Sequence, residues 1–137
     1  MHAMVRRAFA GLALAALVPT VPTDAAPAAV RDAKRAFART VEPISAHDVT
    51  GNLRGDVGKH VRFTCAVATI VDRGSIVGQC GETYEPVNLY VHLATAGLKK
   101  GDRLRVMGEM EPPAVWVDIT GHPWYTGFIH ARYVDRL

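Results

Sequence analysis

The chemistry open to this 137-residue chain rests on six histidines, two cysteines and a few aromatic and acidic side chains in marked settings. The histidines stand at positions 2, 47, 60, 92, 122 and 130. None has the His-x-x-x-His or His-Glu-x-x-His spacing that sets two imidazoles on adjacent helical turns around zinc. His92, His122 and His130 can converge only through the fold, so their spacing implies neither a metal set nor a cofactor. The sequence holds no Gly-x-Ser-x-Gly nucleophile elbow and no phosphate-cradling loop. Asp118, in "WVDITG", is the one acid in an unusual place. Its expected role is to accept a hydrogen bond from a loop amide or from the Trp124 indole. No enzymatic activity is expected.

Cys65 and Cys80 flank "DRG" within "FTCAVATIVDRGSIVGQC". They lack the close doublets of a zinc site and the Cys-x-x-Cys of a redox motif. Counting back from the turn sets Cys80 opposite Cys65 within about one residue, on the apolar side of both arms. A cross-strand disulfide is therefore expected. Closing a loop of about 15 residues is worth ~3 kcal/mol through the entropy of the unfolded chain. Such bonds persist in oxidising compartments.

The elements that must position these groups are mostly strands. From His60 the hydrophobic period is two: Val61, Phe63, Cys65, Val67 and Val71 fall on one face. "DRG" suits a three-residue hairpin loop with Gly74 left-handed, and "SIVGQC" returns. In "VNLYVHL", Val87, Leu89, Val91 and Leu93 point inward and Asn88, Tyr90 and His92 outward. "RLRVMGEM" puts Leu104, Val106 and Met110 inward, with Gly108 marking a bulge. "EPP" is expected to break the chain before "AVWVDI", a further strand with Val115, Val117 and Ile119 on one face. "TGHPWYTG" reads as a loop carrying Trp124 and Tyr125, and "FIHARYV" as the last strand. "ATAGLKKGD" offers at most one helical turn.

Upstream, "AVRDAKRAFARTV" places Val30, Ala33, Phe37 and Val41 at helical spacing, and Pro43 ends it. One Phe and two Val make a thin apolar face. Residues 29–44 therefore read as a basic helical leader resting loosely on the domain, in preference to a membrane-surface helix. Ser45 can cap a second short helix, with Asp48 three residues on. Ala46, Val49 and Leu53 share its inner side, and Gly55 is its expected stop. At the start of the chain, Arg6 and Arg7 precede the apolar run Ala8 to Val18 and a Pro/Ala-rich stretch. A run of about ten apolar residues is too short to span a bilayer, which takes ~20. The pattern is that of a secretory signal peptide over residues 1–28, cleaved after Ala25 or Ala28. The mature chain would have no transmembrane span and would be periplasmic or secreted.

At 49% hydrophobic residues the chain can fill one core, assigned to residues 45–137. The formal charge of +3 is too mild to argue for nucleic acid.

The pattern "LRGDVGKHVRFTCAVATIV … VNLYVHL … LKKGDRLRVMGEM … FIHARYV" resembles the OB-fold from Ser45 to Leu137. It is similar to exported bacterial domains of the tRNA-anticodon-binding-like OB type, through "VGKHVRF" opening the first strand and "LKKGDRLRVMGEM" forming the fourth. The resemblance implies an all-β fold, a small closed barrel of five to six strands with short N-terminal helices. It implies a ligand surface on the outer face of strands two and three plus the Gly121–Gly127 loop: Asn88, Tyr90, His92, Trp124 and Tyr125. The expected function is an exported, non-catalytic binding or envelope-accessory module, taking a small molecule, an oligosaccharide or an envelope protein. Single-stranded nucleic acid would need a basic groove with aromatic platforms. Tyr84, Tyr90, Trp116, Arg103 and Arg105 supply pieces of one, but the charge balance and export signal oppose it. Haem chaperones of cytochrome maturation are exported-side OB barrels with His-x-x-x-Tyr spacing. "HPWY" (His122, Tyr125) and "HARY" (His130, Tyr133) are one residue shorter. A haem or metal carrier using His122 or His130 is the rival reading.

Overall fold

Alternation in the sequence becomes a closed barrel in the computed structural model, which describes residues 27–81 and 84–137. The expected signal peptide lies outside the described residues up to position 26. Helices α1 (Ala28–Ala38) and α2 (Ala46–Thr50) precede strands β1 (His60–Asp72), β2 (Ser75–Cys80), β3 (Val87–His92), β4 (Arg103–Val117) and β5 (Pro123–Arg136). The strands close in the order β1-β2-β3-β5-β4. Neighbours are antiparallel except β3 with β5. This is a small all-β, OB-like barrel. Among the described residues, no helix is long and apolar enough to cross a membrane.

The inward positions are the apolar ones of the period-two pattern. Val61, Cys65, Ile76, Leu89, Leu104 and Ile129 are fully buried. Cys65 and Cys80 are register partners and are joined by a disulfide inside this core. Gly78 makes room for it: a Cβ there would lie 3.3 Å from both Cys65 Cβ and Cys80 Sγ. Gly108 does mark a bulge, between Met107 and Gly108 opposite β5. A Cβ at Gly108 would overlap the His130 carbonyl oxygen, so only glycine lets the two backbones approach.

Several expectations are corrected. The hairpin loop is two residues, Arg73 and Gly74, and Gly74 is not left-handed. Asp72 Oδ1 instead accepts from the Gly74 amide and the Ser75 hydroxyl, and this side-chain turn replaces the left-handed one. Register shifts after Val67 and after Ile70 twist the end of β1 outward, which leaves Val71 exposed. The helix α2 stops at Thr50 with Gly51 as its cap, short of Gly55. Ser45 does cap it, its Oγ accepting from the Asp48 amide at 3.0 Å. Ala46, Val49 and Leu53 reach into the barrel core from this segment.

The largest correction concerns "EPP". β4 does not break there. It runs through Pro112 and Pro113 to Val117 and pairs with β5 as far as Val117 with Pro123. Among the described residues there are therefore five strands, within the five to six expected. The ladder of β1 with β4 ends at His60 with Glu109, and residues 58–59 carry the edge one step further, to Met110. Beyond that point the β1 side of β4 is an edge, where prolines forfeit no ladder hydrogen bond. A register shift between Glu111 and Ala114 absorbs the extra residue. The distal halves of β4 and β5 form a two-stranded arm that outruns the barrel.

The leader helix ends at Ala38, earlier than the pattern to Val41 implied, and buries none of its residues. Phe37 stacks on His60 with ring centroids 4.3 Å apart and meets the edge of Tyr133. Both carboxylate oxygens of Asp135 accept from Lys34 Nζ at 2.6 Å. These few contacts hold α1 against the barrel wall.

Candidate functional site

Strand alternation sorts the aromatic residues onto faces. Along β5, Gly127, Ile129 and Ala131 are buried, so Trp124, Thr126, Phe128 and His130 share the outer face. β3 lies alongside in parallel, with Tyr90 beside Phe128 and His92 beside His130. Tyr90 stacks on Phe128 at 4.8 Å with the planes 9° apart. Tyr90 is thus part of the outer wall. Asn88 is exposed at the start of the same face.

Trp124 and Tyr125 do not form a loop pair. Both lie in β5, on opposite faces of the arm. Tyr125 turns toward the segment after α2, where its hydroxyl accepts from Arg54 at 2.7 Å and its ring lies under the Arg54 guanidinium. Trp124 pairs across the arm with Trp116. Both indole N–H groups are satisfied within the arm. Trp124 Nε1 donates to Asp118 Oδ2 at 3.1 Å, and Trp116 Nε1 donates to Thr126 Oγ1 at 3.0 Å. Trp116 and Trp124 nonetheless stay 55% and 58% exposed, respectively. Val115, Val117 and Ile119 were expected on one face of a strand; Val115 and Val117 are in β4, Ile119 lies in the turn beyond it, and all three are exposed.

Asp118 organises the tip of the arm. Its Oδ1 accepts from the Thr120 amide, the Thr120 hydroxyl and the His122 amide. Gly121, with φ of 84°, supplies the left-handed turn position. The Thr120 hydroxyl, the His122 amide and the Trp124 indole together lower the Asp118 carboxyl to about 2.

The three distal histidines do not all converge. His122 sits at the arm tip, edge-on to Trp124 at 5.0 Å. His92 and His130 do meet, and the third group is Glu111. One ligand atom from each of the three lies within 4.8 Å of the others, and all three residues are half-buried. His92 Nδ1 is 2.6 Å from Glu111 Oε1. Glu111 was not singled out from sequence, because "MEPP" read as a chain break and not as a strand position beside Phe128.

Apart from Arg54, a cluster of cations lies away from the arm. Arg31, Arg35, Arg62 and Arg105 line a cleft beneath α1, which Lys34 shares with its partner Asp135. This cleft is not lined by the exposed tryptophans of the arm, whereas Arg54 does lie over the Tyr125 ring. No protein-family model, curated protein or solved structure shows a significant match to the chain.

Proposed function

We propose that the protein is an exported, non-catalytic binding module that docks an envelope protein through the arm formed by β4 and β5. The observation that carries this reading is the Trp116–Trp124 pair, with both indole N–H groups bonded inside the arm and both residues more than half exposed. Aromatic anchors already fixed in one orientation lose little freedom on docking. They are also the side chains that dominate protein interfaces.

The arm's two-sided character favours a protein over a sugar. A sugar ring needs one aromatic face. Here Val115, Val117 and Tyr125 stand behind the tryptophans, and all are exposed. That suits insertion between the walls of a protein groove. The free strand edges add backbone groups for strand addition. A bilayer is disfavoured by the Asp118 carboxylate near the tip, since a charge in hydrocarbon costs ~2.5–3.5 kcal/mol or more. The Cys65–Cys80 bond fits an oxidising compartment and supports reading residues 1–28 as an export signal.

The test places a photo-crosslinking residue at Val117 in the chain produced in its own cells. One stoichiometric envelope partner is expected. Its purified form should bind the wild-type chain and lose at least ~30-fold affinity with Trp116→Ser/Trp124→Ser, while the melting temperature stays unchanged. Cross-links only to lipid, to glycan or to a second copy of the chain would defeat the docking reading, as would equal affinity for the double variant. Export is judged separately by mass. A chain lacking its leader and carrying no free thiol is expected, whereas an intact N-terminus with two free thiols would refute export.

A further inference from the structure

We infer that His92, Glu111 and His130 form a binding site for one divalent transition-metal ion, of which zinc is the expected occupant. This inference is independent of how the arm docks.

The site is built into the barrel wall. His92 and His130 are register partners on parallel strands, so their imidazoles rise side by side from one outer face. Glu111 stands on β4, opposite Phe128, and reaches across β5 to His92. Three adjacent strands thus supply the three donors, which gives a more rigid frame than a loop would. Phe128 lies 5.3 Å from the His92 ring and Tyr90 stacks behind Phe128, so one side of the cluster is apolar. Glu111 Oε1 is buried and accepts no directed hydrogen bond, although His92 Nδ1 is 2.6 Å away. A buried acceptor without a donor is costly, and a cation between these groups would satisfy it.

The donor set selects the class of ion. Two imidazole nitrogens and one carboxylate oxygen suit zinc, and also copper(II) or nickel(II). Calcium and magnesium want mostly oxygen. Metal bonds of about 2.0–2.2 Å in a tetrahedron set neighbouring donors roughly 3.3–3.6 Å apart. The closest pair opens slightly and the widest, at most 4.8 Å, closes by side-chain rotation. Three protein ligands leave a fourth position for water or for a donor atom of a bound molecule, beside the Tyr90–Phe128 stack.

The experiment uses tag-free, chelator-treated protein titrated with zinc chloride by calorimetry and with cobalt(II) by visible absorption. One ion per chain is expected, with the intense bands of a four-coordinate cobalt site. Glu111→Gln and His130→Gln should each weaken zinc binding at least tenfold, whereas His122→Gln should leave it unchanged. Failure of the folded wild-type chain to bind, or binding that survives both substitutions, would overturn the site. If a variant fails to fold, imidazole resonances of the wild-type protein decide. His92 and His130 must shift on zinc addition while His47 and His122 do not, and any other pattern defeats the proposal.

Discussion

Asp118 is where a single side chain does most for the arm. Its carboxyl sits near 2, below its ordinary value of 3.8, because the Thr120 hydroxyl, the His122 amide and the Trp124 indole all donate to the ionised form. A lowered folded-state value means that the turn is fully supported above the ordinary carboxylate range and loses support as pH falls through about 2. The Trp124 indole N–H resonance should therefore show a step with a midpoint near 2. Asp118→Asn should abolish that titration and loosen the tip without shifting global unfolding. A midpoint near the ordinary value would show that the bonds do not form. Glycines give a second contrast at this scale. A Cβ at Gly108 overlaps backbone, the His130 carbonyl oxygen, and lies 2.9 Å from Ala131 Cα. At Gly127 it meets side-chain ends, those of Leu89 and Leu53 at 2.7 and 2.8 Å and that of Met110 at 3.9 Å, which can yield more readily than backbone. Gly108→Ala should cost ~3 kcal/mol or more, and Gly127→Ala about 1 kcal/mol, in urea unfolding. Equal costs would mean that the bulge relaxes freely.

At the scale of elements, legibility followed burial. β1 to Val67, β2, β3 and the first half of β4 could be read because each turns apolar residues to the core, even where β2 and the Gly108 bulge interrupt the alternation. The position of Cys80 opposite Cys65 came from the same alternation and a counted turn. What could not be read lay outside the core. The end of β1 and the arm carry apolar residues on exposed faces, so their pattern suggested burial that no second layer provides. Pro112 and Pro113 looked like a break because local chemistry cannot tell a central strand from an edge. The His92–Glu111–His130 cluster depends on β3, β5 and β4 being neighbours, which is topology and not spacing. The tested consequence is the disulfide. Its removal in Cys65→Ala/Cys80→Ala should lower stability by ~3 kcal/mol through loop entropy, and somewhat more because both sulfurs fill the core. The helix α1 should behave oppositely. It buries no residue and is held by Phe37 stacking and a half-exposed ion pair. Phe37→Ala should free the helix, seen as fast amide exchange over residues 28–38, while costing the barrel no more than ~1.5 kcal/mol.

The whole molecule then divides into two parts of unequal stability joined by continuous strands. The barrel closes on itself and buries one core, so its amides should exchange only through global unfolding. The arm shares β4 and β5 with the barrel but has neither a third strand nor a buried face, and a lone hairpin is marginal in water. The Asp118 turn and the two indole hydrogen bonds hold it closed, and local opening need break little more than these and the β4–β5 ladder of the arm. Amides of the arm, around Val115 to Val117 and Trp124 to Thr126, should therefore exchange orders of magnitude faster than those around Leu104 to Val106 on the same strand. Low urea should leave the arm's rate unchanged, as local opening exposes little surface, while it accelerates exchange in the barrel. Asp118→Asn should speed the arm alone. A docked partner should do the reverse, slowing the arm toward barrel rates because its strand edges and both its faces become covered. Uniform protection along the whole of β4 in the free protein would instead mean that arm and barrel are one cooperative unit. The exposed tryptophans would then sit on a surface as resistant to opening as the barrel wall, and docking would slow exchange in the arm no further.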